Sequence, residues 1–545
     1  MNGSPTRCVW ALGLCLTAVG CDRTMPKAEY ERLRQEAVNR PRRILWDDDG
    51  CDMSHYPYGR ADLAKDPASV RNFELVFLEA TERTKVDAVA YSGTYGFGGF
   101  TATKAGYFFT NRCAAASDPW RNAASEFKAM GTDAHRMAID FAHRNGKEAF
   151  FSLRFNDNHD AAGAGNMSSI FITPFKRENK ECMMGGDGGP VKCCGWTAMD
   201  FAQEKVRSFA KTYIRQFCEN YDFDGLLFDF FRHPQLFRTV ANGGHATEAE
   251  LKLMTSFMGE LRTMIDEIGR RRGRPFVIGA RTPDSSDYCR AIGIDLDGWL
   301  DAKAIDFLVA GGYFQLEPWA KSADLAHRHG VRCSASLDET RIQRGSRKLL
   351  PGRDSEENWI ARAAAAVAQG MDGVFYFNFE YDSHAKQRRV MSVDPAETDG
   401  LNKLYFSTHN GAGGYLPRHF LVDGMDYWKL PRIDPGYPTK LTAGGAHTFN
   451  FPIGDDFSAW RQKGLMPVLT LKLLADADAV ADIGAFTVNG RAVSFSGFKD
   501  GVLTAEVSAD VFRKGDNAVR IVAAAPVTLR DLSLAVTGRR QHLTR

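Results

Sequence analysis

The stretch that decides the fold is Tyr221-Asp-Phe-Asp-Gly-Leu-Leu-Phe-Asp229-Phe-Phe-Arg-His-Pro234. A short apolar run ends here in charged residues, which is typical of a buried parallel strand whose end carries polar groups. The same theme recurs along residues 43–381, each time followed by an amphipathic stretch, and this alternation predicts successive βα units. Eight strands are predicted, at 43–46, 86–91, 148–155, 225–230, 276–280, 305–310, 331–337 and 374–379.

Eight such units predict an α/β protein with a (β/α)8 barrel. The alternative is a doubly wound open sheet, but no Gly-x-Gly-x-x-Gly fingerprint follows an early strand, and we therefore favour the barrel. Beyond residue 400 short alternating runs appear, with an Asn489-Gly490 turn between two of them. They predict a C-terminal antiparallel β-sandwich that braces the barrel or binds carbohydrate. The predicted divisions are a signal at 1–21, the barrel at 22–400, a connecting segment at 401–440 and the sandwich at 441–545.

Composition narrows the class of partner. The 545 residues carry a formal net charge of +2 with 11% aromatic residues. A near-neutral chain without a basic block lacks the electrostatic footprint of nucleic-acid binding, so we expect no nucleic acid as partner. Motifs for serine hydrolases, P-loop kinases and zinc proteases are missing from the sequence. We expect no cofactor and no resident metal.

The first residues predict export. Arg7 precedes the apolar run 9–19, and Ala18-Val19-Gly20-Cys21 follows. This resembles a bacterial lipoprotein signal, which implies a lipid anchor at Cys21 and a protein facing the periplasm or the cell surface. The alternative is a cleaved signal and a secreted protein. Of eleven cysteines eight lie after Cys21, and the crowding of Cys182, Cys193 and Cys194 predicts a disulfide staple in that loop more than a zinc site. The long, Gly-rich insertion 160–196 is predicted to form a lid or a cleft wall.

Polar and aromatic side chains gather where the predicted strands end, and in a barrel these ends share one mouth. Carboxylates, amides and rings are the groups that bind sugar hydroxyls and stack on sugar faces. The candidate substrate contacts are Asp48, Tyr91, Arg154, Asn156, Asp157, His159, Arg232, His233, Arg281, Tyr313 and Asn378.

Several of these residues have alternative interpretations. The Asp47-Asp48-Asp49 cluster is a Ca²⁺ ligand set, a plain turn or a hydroxyl contact. Asp157 caps its loop while His159 is a surface histidine, or both face the substrate. Arg281 binds an acidic group of the substrate or pairs with Asp284.

The run from Asp224 to Pro234 resembles the DG-hydrophobic-hydrophobic-x-D-x-x-R-x-P strand of the family-10-like glycosyl hydrolases, and the segments 154–159 and 372–378 share the resemblance. It extends over about residues 43–385. The resemblance implies a secreted (β/α)8 protein acting on bacterial or algal polysaccharides. In related barrels an Asp at the end of the fourth strand is catalytic or positions the substrate, and Asp229 matches that position.

We therefore expect a glycoside hydrolase with two flanking carboxyl groups, acting on a polysaccharide or oligosaccharide. Asp229 is the first candidate, Asp338 is its preferred partner, and Glu339 and Glu380 come next. Asp229 is alternatively a buried structural carboxylate bonded to Arg232 or to a loop amide. The alternative functions are a surface glycan-binding protein without turnover and a polysaccharide lyase with a Tyr or His base.

Overall fold

The computed structural model describes residues 24–57, 59–110, 120–161, 167, 169–186, 188–338, 349–408, 415–478 and 480–540. Eight parallel strands close into a barrel, and the predicted fold class is confirmed. The barrel strands are β1 Ile44–Asp48, β2 Ala88–Tyr91, β3 Glu148–Arg154, β4 Gly225–Asp229, β5 Val277–Thr282, β6 Phe307–Ala310, β7 Arg332–Asp338 and β8 Gly373–Phe377.

Each barrel strand pairs with the next in chain order, and β8 closes on β1 with Ile44 opposite Val374. The strands are buried along most of their length because both of their faces are covered, one by the barrel interior and one by helices. Trp46, Trp299 and Trp359 are among the largest fully buried side chains. The charged residues of the barrel strands lie within two residues of a strand end.

Fourteen helices lie in the described part of the chain. The first precedes the barrel, and its Tyr30 hydroxyl donates to Asp266 at 2.9 Å. The amphipathic stretch after β1 is an α-helix only as far as Phe73 and continues as short turns. The helices are α1 Lys27–Val38, α2 Val70–Phe73, α3 Ala124–Ala129, α4 Ala134–Arg144, α5 Pro174–Glu178, α6 Glu204–Asn220, α7 Arg238–Ala241, α8 Glu248–Arg272, α9 Ser286–Ile292, α10 Leu296–Asp301, α11 Trp319–Arg328, α12 Glu356–Ala368, α13 His384–Met391 and α14 Phe457–Gln462.

Two antiparallel sheets follow the barrel. Their strands are β9 Lys403–Phe406, β10 Thr439–Leu441, β11 Ala446–Asn450, β12 Leu465–Asp476, β13 Ile483–Val488, β14 Arg491–Ala492, β15 Gly497–Lys499, β16 Val502–Val507, β17 Ala518–Ala523 and β18 Val527–Arg540. One sheet has the order β9-β18-β12-β16-β15 with β10 beside β18, and the other has the order β11-β17-β13-β14. The two share one apolar core, which Ala361 and Ala365 of α12 join from the barrel side. This arrangement agrees with the predicted β-sandwich.

The predicted disulfide staple is wrong for the cysteines that the structure describes. Cys182, Cys193 and Cys194 are unpaired thiols. Backbone hydrogen bonds fix two of them, since Asp200 N–H donates to Cys182 O at 2.8 Å and Cys193 N–H donates to Ala241 O at 3.1 Å. Within the described ranges, no helix has the length and apolarity to cross a membrane. The predicted signal and Cys21 lie outside the described residues.

Candidate active site

A buried ion pair occupies the centre of the barrel mouth. Asp229 ends β4, and its Oδ2 accepts a bond of 2.8 Å from Nη1 of Arg281 on β5. Its Oδ1 accepts the N–H groups of Phe231 at 2.8 Å and Arg232 at 2.9 Å. Both oxygens are thus held by the protein, and Asp229 is 3% exposed. The alternative interpretation of Asp229 was a buried structural carboxylate bonded to Arg232 or to a loop amide. The structure agrees with its second part, because the backbone N–H of Arg232 donates to Asp229.

Arg281 is fully buried, and the ring of Phe377 lies 3.8 Å from its guanidinium carbon. The expected pairing of Arg281 with Asp284 is wrong, because Asp284 accepts the N–H groups of Leu316 and Glu317 instead. Arg281 meets Asp229 because both side chains enter the barrel from adjacent strands at the same height.

Asp47, predicted only as one member of the Asp47-Asp48-Asp49 cluster, is a functional candidate in its own right. β1 runs to Asp48, so strand alternation points Asp47 into the barrel. Burial raises the pKa of Asp47 to about 7, and the charge of Asp229 adds to this, whereas a hydrogen bond from Ser152 opposes it. Asp47 therefore holds a proton close to neutral pH. Extending the predicted strand by two residues would have shown its inward orientation.

A second cluster lies beside the first, at the ends of β3 and β4. Arg154 pairs with Asp49 at 2.8 Å and with Asp157 at 3.5 Å. His159 Nδ1 lies 2.8 Å from Asp157 Oδ2, and His233 Nδ1 lies 3.9 Å from the same oxygen. Burial of Asp157 favours its neutral form, but His159, His233 and Arg154 outweigh this and hold its pKa well below the usual range.

Burial lowers the pKa of both histidines, so both rings are neutral near pH 7. Arg232 Nη2 lies 2.6 Å from Nε2 of His159. A guanidinium only donates, so His159 carries its proton on Nδ1 and donates it to Asp157. The other amine of Arg232, Nη1, donates to the Tyr313 hydroxyl at 2.5 Å. The structure thus brings together six of the predicted residues: Arg154, Asp157, His159, Arg232, His233 and Tyr313.

Asn156 and Tyr91 have other roles than the predicted one of touching sugars. The Asn156 amide donates to Met199 O at 2.8 Å and to Gln235 O at 2.5 Å, and it accepts Met199 N–H at 2.8 Å. It therefore ties the insertion to the loop after β4. Tyr91 packs edge-on against the rings of Phe73 and His135, on the helix side of the barrel wall.

A third cluster lies where β8 meets β1. Carboxylate oxygens of Asp48, Asp49 and Glu380 lie within 4.8 Å of one another. Asp48 and Glu380 line a cavity of about 640 Å³ whose wall includes Phe77, Trp120 and His384. This volume falls in the range of ~300–1,000 Å³ common for ligand pockets. Trp120 lies far from any predicted strand end, so no local pattern pointed to it.

Asp338 and Asn378 lie opposite each other at the ends of β7 and β8. Asn378 Nδ2 donates to Asp338 Oδ1 at 3.3 Å. Asn378 also has a left-handed backbone, with φ 58°, that turns the chain toward Glu380. Glu339 lies outside the described residues. The structure thus places the predicted catalytic carboxyls at the ends of β4 and β7 and in the turn after β8, and their roles stay a prediction.

Two groups of side chains offer several metal-ligand atoms in close proximity. The first is Asp157, His159 and His233, and the guanidiniums of Arg154 and Arg232 beside it oppose a cation. The second is the cluster of Asp48, Asp49 and Glu380. We assign no metal to either group.

The insertion after β3 forms one wall of the mouth. Lys176 on α5 pairs with Asp160 at 2.7 Å, and both side chains are buried. The Thr197 hydroxyl donates to the second oxygen of Asp160 at 2.5 Å. These contacts fasten both ends of the insertion next to Asp157, whose carbonyl oxygen lies 3.4 Å from Lys176 Nζ. The role of the insertion as a lid or a cleft wall stays a prediction.

The fold and these clusters define a (β/α)8 barrel with an acidic, arginine-rich mouth. The chain is similar in fold to the glycoside hydrolase domain of PgaB (BpsB) from Bordetella bronchiseptica, with 12% identity over 65% of this chain and 99% of that one and a TM-score of 0.39. It is also similar to the catalytic domain of the psychrophilic chitinase B from Arthrobacter TAD20, with 14% identity, coverages of 66% and 96%, and a TM-score of 0.37.

A third similar structure is a family GH18 chitinase from Chromobacterium violaceum, with 12% identity, coverages of 92% and 89%, and a TM-score of 0.35. No protein-family model matches the chain, and no curated protein matches it. At these identities and TM-scores the likenesses carry no argument about chemistry. The function therefore rests on the geometry of the mouth.

Proposed function

We propose that this protein is a glycoside hydrolase that cleaves a polysaccharide or oligosaccharide with a pair of carboxyl groups. The observation that carries the proposal is the approach of Asp48 and Glu380 within one ligand-sized cavity beside the ends of β1 and β8. Retaining glycosidases hold their two carboxyl groups ~5 Å apart, and the oxygens of this pair lie within 4.8 Å.

The surroundings of the pair fit this chemistry. Arg154 pairs with Asp49, while Asp48 and Glu380 both line the cavity. A retaining mechanism uses one carboxyl group as the nucleophile and the other as the general acid. The rings of Trp120 and Phe77 in the cavity wall offer apolar faces for a sugar.

Asp229 and Asp338 remain the alternative pair. Arg281 and two backbone N–H groups fix the Asp229 carboxylate, which suits a nucleophile or an electrostatic stabiliser more than an acid. Asp47, whose pKa burial raises to about 7, is the nearby group able to keep a proton near neutrality. We also propose that the protein belongs to the family-10-like glycosyl hydrolases, because residues 224–234 resemble the strand motif of that family.

The test is product release from a panel of neutral, uronic and sulfated polysaccharides, measured as new reducing ends. We expect Glu380→Gln and Asp48→Asn each to lose ~100-fold or more in kcat/KM, the usual contribution of a general acid or base. Asp324→Asn, on an exposed face of α11, is the matched control and is expected to match wild type. Full activity of both cavity variants would refute the Asp48–Glu380 pair.

The same panel separates the alternative functions. Retention of a polysaccharide on an affinity gel without new reducing ends would indicate a glycan-binding protein. Ultraviolet absorbance from an unsaturated product would indicate a lyase. Loss of turnover in Asp229→Asn alone, in a folded variant, would move the catalytic assignment to the central ion pair.

We also propose that the protein is exported and lipid-anchored at Cys21, on the support of the apolar run 9–19 and the residues 18–21. Metabolic labelling with a fatty acid tests this: wild type is expected to take up label and Cys21→Ser is not. Labelling of both proteins, or of neither, would contradict the anchor.

A further inference from the structure

The three arginines of the barrel mouth differ in how their charge is balanced. Arg154 pairs with Asp49 at 2.8 Å, and Arg281 pairs with Asp229 at 2.8 Å. Arg232 is as buried as a core residue, with 7% of its surface exposed. Yet among the described residues no carboxylate lies within ion-pair distance of its guanidinium.

All the close contacts of the Arg232 guanidinium are with neutral groups. Its Nη1 donates to the Tyr313 hydroxyl and its Nη2 to the neutral ring of His159. The Tyr313 ring lies 5.5 Å from its guanidinium carbon. Its Nε is buried and has no hydrogen-bond partner. A donor of the group is therefore unused, and its full positive charge has no direct counter-ion.

Burying an unpaired cation costs several kcal/mol, so such a group persists only where other interactions or a ligand offset the cost. The nearest carboxylate on the same loops is Asp157, which is already shared among Arg154, His159 and His233. A guanidinium fork with an unused donor matches the two oxygens of a carboxylate or a sulfate.

The site is open to solvent on one side. The side chain of His159 is 29% exposed, whereas Asp157 below it is 1% exposed. His159 therefore lies at the rim, and Arg232 lies directly behind it. An anionic group that displaces the His159 ring from Arg232 gains access to Nη2 without any change in the barrel strands.

We propose that Arg232 is the anion subsite of this mouth and binds the carboxylate of a uronic acid residue or the sulfate ester of a glycan. This deepens the proposed function by naming an acidic glycan as the substrate class, and it rests on that function. The shared chemistry of the two sources is a planar or tetrahedral group of anionic oxygens, and the experiment separates them.

The experiment is calorimetric titration of the full chain with glucuronate, glucose 6-sulfate and glucose. We expect wild type to bind one of the two anionic sugars at least tenfold more tightly than glucose, and the stronger one identifies the source. Arg232→Gln is expected to lose ~30-fold in affinity for that sugar, the usual effect of removing one member of a buried charged contact.

Two further variants keep the result decisive. Arg418→Gln removes an exposed guanidinium from the segment beside the mouth and is expected to bind like wild type. If Arg232→Gln does not fold, Arg232→Lys retains the charge but loses the two-point fork, and we expect weaker binding of the anionic sugar by fivefold or more. Equal binding of glucuronate, glucose 6-sulfate and glucose by wild type, or undiminished binding by the Arg232 variants, would overturn the subsite.

The outcome is separable from the failure of the proposed function. Anionic sugar binding that depends on Arg232, together with no release of reducing ends from any polysaccharide, would leave the subsite in place and remove the hydrolase. Release of reducing ends only from neutral polysaccharides, with no selective binding of anionic sugars, would support the hydrolase and rule out the anion subsite.

Discussion

Replacing Asp229 by asparagine removes one charge from an ion pair that the protein buries almost completely. The two backbone N–H bonds to Oδ1 survive, because the asparagine oxygen accepts them equally well. The bond to Arg281 does not survive, because the amide has no charge and presents a donor to another donor. Arg281, which is 0% exposed, is then left without its carboxylate.

Removing one partner of a buried pair costs about 3–5 kcal/mol, because the remaining charge stays desolvated. The only other contacts of Arg281 among the described residues are Ser336 Oγ at 3.1 Å and the rings around it, including Phe377. These contacts do not replace a counter-charge. We therefore expect Asp229→Asn to lower the free energy of unfolding of the barrel by about 3 kcal/mol or more.

The assay is urea unfolding followed by tryptophan fluorescence, since Trp46, Trp299 and Trp359 are buried in the barrel. Asp324→Asn is the surface control, with an expected change within about 0.5 kcal/mol. The double variant Asp229→Asn/Arg281→Met removes the stranded charge, and we expect it to be more stable than the sum of the two single changes by about 2 kcal/mol. A loss below about 1 kcal/mol for Asp229→Asn, or strict additivity, would refute this account of the mouth.

Asp47→Asn tests the buried proton. The folded protein keeps a proton on Asp47 that the unfolded chain releases above about pH 4, because burial raises the pKa of Asp47 to about 7. The free energy of unfolding of wild type therefore falls as the pH rises to about 7, by up to about 1.4 kcal/mol per pH unit. The variant is expected to lose this part of the slope in urea midpoints at pH 5 and 7, and identical slopes would contradict it. Gly312 has φ 156°, and a Cβ there would lie 2.3 Å from Arg281 Nη2. We expect Gly312→Ala to lower the thermal midpoint far more than Gly330→Ala, because a Cβ at Gly330, with φ 70°, has no atom within 4 Å. Equal shifts would show that the Arg281 side chain moves away from the added methyl group without cost.

The barrel was predictable because its signals are local. Each apolar run and its polar end lie within about ten residues, and eight repeats leave few other topologies. The closed order of strands and the collection of Asp48, Asp229, Asp338 and Asn378 at one edge follow from that alternation. The Asn489-Gly490 turn likewise marked a hairpin that the structure contains, since its two residues adopt the positive φ that such a turn requires.

The charge partners were not predictable, because each pair joins residues far apart in the chain. Arg281 and Asp229 are separated by 52 residues, and Arg154 lies 105 residues from Asp49. Asp284, three residues from Arg281, was one of two partners that the sequence offered for it, but in the structure Asp284 accepts the N–H groups of Leu316 and Glu317.

Local patterns in the chain are enough to predict the barrel, the edge at which its polar groups collect and the residue types found there. Which of these groups neutralise one another depends on strand order, on the height of each side chain inside the barrel and on the loops above it, and these are properties of the folded chain. Adjacent strands place Asp229 beside Arg281, strand alternation turns Tyr91 toward the helix layer, and the loops leave the charge of Arg232 without a direct counter-ion.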